Sequence, residues 1–188
     1  MAQQALLLID VDGVLNPFAA RRLSYRSYRY TPGGGWYRGR DPRGRDGLRV
    51  RLHSGHGARL LELASAANLE LAWATTWQHD ANRYVGPAIG LPDIPVVEFP
   101  TADLAPGPYG WASWTGTGGW KWPAVATYAA GRPLAWLDDD FATSGYPEAR
   151  AEFDRLREGI PTLLCHVDPR KGLLADHLSQ VADWAAGL

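Results

Sequence analysis

The chain has 188 residues, 46% of them hydrophobic, and a formal charge of −1 at pH 7. That size and apolar content suit one compact domain with a small insertion rather than two full domains or a disordered chain. The near-neutral balance excludes a global field drawing the whole molecule to nucleic acid or membrane, and a single cysteine, Cys165, excludes a disulfide framework.

The chain opens Met1-Ala2-Gln3-Gln4 and reaches Asp10 after five apolar residues, Ala5 to Ile9. This run is too short for a secretory leader or a membrane span, so a cytoplasmic protein with no membrane partner is expected. It reads instead as a buried strand ending in a functional turn at Asp10 to Gly13.

Charge is distributed unevenly along the chain. Ten arginines lie between Arg21 and Arg51 against two acids, Asp41 and Asp46, so this stretch expects an anionic partner. Tyr25-Arg26-Ser27-Tyr28-Arg29-Tyr30 and Leu48-Arg49-Val50-Arg51-Leu52 alternate with period two around Pro32-Gly33-Gly34-Gly35, which predicts a flap or hairpin insertion at about 20–53. Arginine forks suit phosphate and interleaved rings suit base stacking, making Arg26 and Arg29 candidate substrate-binding residues. The alternative of equal weight is a solvated hairpin whose arginines pair with acids elsewhere.

Regular α/β patterning then resumes. Ser54 is a candidate N-cap for a helix with Leu60, Leu61, Ala64 and Ala67 on one face, left at Asn68. Residues 69–74 form a second strand running into Thr75-Thr76-Trp77. A short helical stretch at 81–84 is broken by Gly86-Pro87, and a third strand is predicted at 95–99. Residues 100–119, rich in Pro, Gly and Trp, read as a long functional or mobile loop. Its Trp111 and Trp114, with Trp120 and Trp122, either stack on a base or sugar or pin the loop to the body. Lys121 leads a helix carrying Pro123 in its first turn. A fourth strand at 133–137 runs into Asp138-Asp139-Asp140. A helix at 148–157 stops at Gly159, and a fifth strand spans 162–167, with Cys165 inside it as a buried small hydrophobe. A last helix carries Leu174, Leu178, Val181, Ala182 and Ala185 on one side.

Strands alternating with helices predict an α/β, Rossmann-like fold: one domain over 1–188, its mainly parallel sheet covered by helices on both faces, with the flap inserted after the first strand. Ligands of such sheets bind beyond the carboxyl ends of the strands. Asp10, Thr75-Thr76 and Asp138-Asp139 all fall there.

Two carboxylates two residues apart, Asp10 and Asp12, repel each other unless a hard divalent cation sits between them. Asp138 and Asp139 supply further oxygen ligands, a donor set that magnesium prefers. An Asp pair after a strand can also cap a turn, but the acidic cluster at a second strand end favours catalysis. Asp140 reads as a solvated neighbour. His79, Asp80 and Asn82 read as a rim or structural group, His53 and His56 as caps or loop contacts, and His166 and His177 as structural.

At four places, in chain order, the sequence resembles the haloacid dehalogenase superfamily: Asp10-Val11-Asp12-Gly13-Val14, Thr75 after the second strand, Lys121 at a helix start, and Asp138-Asp139 after Leu134-Ala135-Trp136-Leu137. The resemblance implies a magnesium-dependent phosphomonoester hydrolase working through an aspartyl-phosphate. In it Asp10 is the nucleophile and Asp12 the general acid/base. Thr75 hydrogen-bonds a phosphoryl oxygen, a role for which the substrate-side Thr76 competes, and Lys121 offsets charge on Asp10 and the phosphoryl group. Magnesium is held by Asp10, the backbone carbonyl of Asp12 and Asp138, with Asp139 orienting the metal shell. Halide departs unprotonated whereas an alkoxide needs a proton, so Asp12 favours phosphate esters over dehalogenation. Trp73-Ala74-Thr75-Thr76-Trp77, Asn82 and the run at 136–139 are also similar to a branch found in bacterial RNA-repair proteins. The substrate expected is a phosphorylated small molecule, such as a nucleotide, or a nucleic-acid terminus. The alternative is a non-catalytic module that holds nucleic acid with the arginine-rich hairpin.

Overall fold

Strand β1, Ala5–Ile9, is apolar and buried at all five positions, a pattern that fits only the interior of a sheet covered on both faces. The computed structural model describes residues 4–19, 24–31, 35–39, 47–99, 105–106, 112–113, 121–141 and 147–188. In it β1 lies between β5 (Leu69–Trp73) and β8 (Leu134–Asp138), with β9 (Thr162–His166) beyond, in the order β5-β1-β8-β9 and parallel throughout. Each later strand of this sheet is entered from a helix: α1 (His56–Ala66) precedes β5, α3 (Lys121–Tyr128) precedes β8, α4 (Pro147–Leu156) precedes β9, and α5 (Ala175–Ala186) follows it.

Period-two alternation along β1 divides the core. Leu7 and Ile9 join Leu60 and Leu63 of α1 and Val181 of α5 on one face, while Leu6 and Leu8 join Trp122 and Val125 of α3 and Phe153 of α4 on the other. The expected α/β architecture with helices on both faces is therefore present.

The arginine-rich insertion is a three-stranded antiparallel sheet rather than a two-stranded hairpin. Strand β2 (Arg26–Thr31) lies between β3 (Gly35–Arg38) and β4 (Leu48–Leu52). Gly35, expected in the turn, belongs to β3 at a φ of 121°, open to glycine alone. Tyr28, Tyr30, Val50 and Leu52 all face the body and join the α1/α5 side of the core.

Several local expectations are corrected. Ser54 does not cap α1; the cap residue is Gly55, whose N–H donates to His53 Nδ1 at 3.0 Å. Leu63 rather than Leu61 shares the buried face with Leu60, because the helical period brings positions three and four residues on, and not the next one, back to the same face. Gly86-Pro87 does not end the helical stretch: a π-type turn, Ala81–Val85, runs directly into α2, Gly86–Ile89, with Pro87 in its first turn where no N–H is needed. Residues 95–99 are not a strand; Val96 makes an isolated bridge to Trp73 at the edge of β5. Leu174 is the exposed N-cap residue of α5 and not part of its apolar face. The stretch 100–119 lies outside the described residues apart from two short antiparallel strands, β6 (Ala105–Pro106) and β7 (Ala112–Ser113). The roles considered for Trp111, Trp114 and Trp120 lie outside them too.

No helix among the described residues is long and apolar enough to cross a membrane.

Candidate active site

The sheet order brings the second, first and fourth sequence-predicted strands side by side, so their carboxyl ends share one edge. Asp10 leaves β1 with its N–H donating to the Leu137 carbonyl of β8 at 3.0 Å. Asp138 closes β8, and Thr75 follows β5 after Ala74, whose N–H donates to the Ile9 carbonyl at 2.9 Å. Lys121 opens α3 on the apolar face opposite α1. Its ammonium donates to Asp10 Oδ2 at 2.7 Å and to Asp138 Oδ2 at 2.6 Å, with all three side chains buried. Three chain segments thus meet at one charged point, and Thr75 ends the neighbouring strand on the same edge.

One oxygen from each of Asp10, Asp138 and Asp139 lies within 4.8 Å of the others. Burial raises the Asp138 carboxyl above its ordinary range, with Asp10 adding to this and Lys121 opposing it. Burial, then the neighbouring charges of Asp10 and Asp138, push Asp139 up to about 7. Burial alone would lower Lys121, but Asp10 and Asp138 outweigh it and hold the amine protonated. Three carboxylates against one ammonium leave a surplus of negative charge in a poorly solvated place. Hard oxygen donors with such a surplus fit a small divalent cation, so these residues could hold a metal.

Asp12 stands apart from this cluster. The chain folds back after Asp10, with Leu15 and Asn16 both donating to the Val11 carbonyl at 2.8 Å. This turn sets Asn16 Nδ2 2.7 Å from Asp12 Oδ1. Trp77 Nε1 reaches Asp12 Oδ2 at 2.9 Å. Burial raises the Asp12 carboxyl, while the Asn16 bond opposes, Asp10 reinforces and the Trp77 bond opposes. A carboxyl lifted in this way can hold and release a proton. Asn16 and Trp77 were not among the expected site residues; the signals are their places four residues after Asp12 and two after Thr75, where Trp77 closes the run Trp73-Ala74-Thr75-Thr76-Trp77.

Thr75 is fully buried, whereas Thr76 is exposed. The tight turn after β5 explains the difference. Gln78 adopts a left-handed φ of 48° and donates to the Thr75 carbonyl at 3.1 Å, which swings Trp77 inward and leaves Thr76 outside.

Arg26 is exposed, and Arg29 donates to the Gly47 carbonyl at 2.9 Å. Among the described residues, neither contacts the aspartate cluster. Alternation along β2 turns Tyr28 and Tyr30 inward and Arg29 outward. Asn82 holds the Trp73 indole at 2.6 Å and the Ile94 backbone, a structural role as expected. His79 faces Glu98 at the surface. His56 is buried at the start of α1 beside His53 and Tyr25.

No family model matches the chain, and neither a curated protein nor a solved structure does so.

Proposed function

We propose that the chain is a magnesium-dependent phosphomonoester hydrolase of the haloacid dehalogenase kind. The observation that carries this reading is the Lys121 ammonium set between Asp10 and Asp138, residues 111 and 17 positions away in the chain. A buried lysine shared by two strand-end carboxylates holds one of them in place as an anionic nucleophile and supplies positive charge where a phosphoryl group would arrive.

Asp10 attacks phosphorus, and the ester P–O bond breaks as an aspartyl-phosphate forms. Asp12 gives its proton to the departing alkoxide. In the second half, Asp12 takes a proton from water as that water attacks phosphorus, releasing inorganic phosphate and restoring Asp10. Thr75 donates a hydrogen bond to a phosphoryl oxygen. Asp10, Asp138 and Asp139 would hold magnesium together with the backbone carbonyl of Asp12; when bound, the ion neutralises charge on the phosphoryl oxygens.

The substrate is a phosphorylated small molecule, such as a nucleotide, or a nucleic-acid terminus. Arg29 and Arg49 lie directly opposite each other on the outer face of the three-stranded sheet, with Tyr37 beside Arg29. Like charges in that position are destabilising, a cost that an anionic ligand would offset. The same pair favours the second reading, a module that binds nucleic acid without catalysis. The likeness to RNA-repair phosphatase domains points to a nucleic-acid end.

Hydrolysis of an aryl phosphate with and without magnesium, for the parent protein and Asp10→Asn, tests the reading. The expected result is metal-dependent turnover lost in the variant while the fold persists. Oligonucleotide binding that weakens steeply with salt, with no turnover, would support the second reading instead.

A further inference from the structure

The two donors to Asp12 share a feature that their own positions do not require: each is also anchored to the three-stranded sheet. Asn16 Oδ1 accepts the backbone N–H of Arg51 in β4 at 2.8 Å while Nδ2 donates to Asp12. Because that oxygen must face a backbone donor, the amide can take only one orientation, and its NH₂ group is aimed at the acid. Strand β4 is an edge of its sheet, where outward N–H groups need partners. Asn16 satisfies one of them.

The second anchor is aromatic. The Trp77 ring lies 4.8 Å from Tyr30 of β2 and 6.3 Å, edge-on, from Trp36 of β3. Tyr30 is itself fixed by donating its hydroxyl to Asp80, three residues beyond Trp77. The indole therefore cannot turn without displacing rings from two strands of the sheet.

We propose that Asn16 and Trp77 are positioning residues that fix the plane of the Asp12 carboxyl for proton transfer, and that the three-stranded sheet sets both of them. One contact on each carboxylate oxygen removes the torsional freedom that a lone aspartate would keep. A general acid is effective only when its proton is aimed at the leaving oxygen. The insertion after β1 is thus part of the acid's support, in addition to whatever its outer face binds. This inference rests on the reading of Asp12 as the acid in phosphate-ester hydrolysis.

Leaving-group dependence tests it. An alkyl phosphate needs its leaving oxygen protonated, whereas dinitrophenolate leaves as the anion. The kcat/KM values of the parent, Trp77→Phe, Asn16→Ala and Tyr30→Leu proteins are measured with magnesium on both esters. Trp77→Phe removes the indole N–H while keeping an aromatic ring at the position, so it carries the test even if Asn16→Ala fails to fold. The expected result is a loss about tenfold greater for the alkyl ester than for the dinitrophenyl ester, a fraction of what general acid catalysis typically contributes. Tyr30→Leu, which loosens the sheet's grip on Trp77 and also removes the hydroxyl bond to Asp80, is expected to show the same preference more weakly. Equal losses on both esters, or no loss, would overturn the proposal. A parent protein that hydrolyses neither ester would overturn the phosphatase reading itself.

Discussion

Gly13 leaves room for the carboxyl of Asp139: a Cβ at position 13 would lie 2.3 Å from Asp139 Cγ. The same residue has a φ of 74°, in the left-handed region. Two independent constraints therefore demand glycine in the turn between Asp10 and Asp12's anchor, Asn16. Gly13→Ala is expected to fold with a loss of about 1–2 kcal/mol from backbone strain. It should also displace Asp139 and weaken magnesium binding by about 10–100-fold, the usual effect of disturbing a ligand's support. Calorimetric titration with magnesium checks this, and an unaltered affinity would contradict it.

Lys121 is the only cation hydrogen-bonded to the aspartate cluster among the described residues. Lys121→Met keeps the side-chain length and removes the charge, leaving Asp10 and Asp138 buried without it. Breaking a buried ion pair by removing one partner costs about 3–5 kcal/mol, and urea denaturation at neutral pH without metal should show that loss. Added magnesium is expected to recover part of it. A variant as stable as the parent would mean that the ammonium does not balance these carboxylates.

The pH dependence of stability follows from Asp139. Its folded-state pKa, about 7, stands above the unfolded value of 3.8, so the folded chain holds a proton that the unfolded chain releases. This contribution is fully present below about 3.8 and is lost as pH rises through 7. His56 works in the opposite direction: burial first, then the charges of His53 and Arg59, lower it from 6.5 to about 4, so its contribution is lost as pH falls from 6.5 toward 4. Comparing the parent with Asp139→Asn cancels the histidine. Without metal at pH 8, the variant should be more stable by about 1 kcal/mol, roughly 2–4 °C in Tm for a chain of this size. It should also lose most of the magnesium-induced rise in Tm. A variant less stable than the parent at pH 8 without metal would contradict the assignment.

The site was legible where chemistry and strand ends coincide. Asp10, Thr75 and Asp138 each directly follow or close an apolar run, and a parallel sheet must deliver such positions to one edge. Lys121 was found through its place in a familiar order of motifs, since no local pattern says that a helix-start lysine turns inward. The partners of Asp12 were hidden for a different reason. Asn16 and Trp77 act through a turn and through rings contributed by distant strands, and neither has a periodic signature. The arginine and tyrosine alternation was visible, but its meaning depends on which face meets the body; Tyr28 and Tyr30 pack inward, which leaves Arg29 on the outer face. Gly86-Pro87 misled because proline, which breaks a helix interior, is equally at home in a first turn.

If the outer face of the three-stranded sheet receives a nucleic-acid backbone, Arg49→Glu should act on polyanionic substrates more than on small ones. The expected result is a KM for an end-phosphorylated oligonucleotide raised about tenfold relative to that for an aryl phosphate, the scale of one charge-assisted phosphate contact, together with a shallower dependence on salt. Equal KM changes for both substrates would remove this face from substrate binding.

Asp10 is the nucleophile at phosphorus in the proposed reaction. During steady-state turnover with magnesium, rapid acid quenching followed by peptide mass analysis should find one phosphoryl group on the peptide containing Asp10, labile to hydroxylamine as an acyl phosphate is. The same adduct should be absent from Asp10→Asn. Turnover that proceeds undiminished in Asp10→Asn, or a phosphoryl group carried on any other residue, would contradict it.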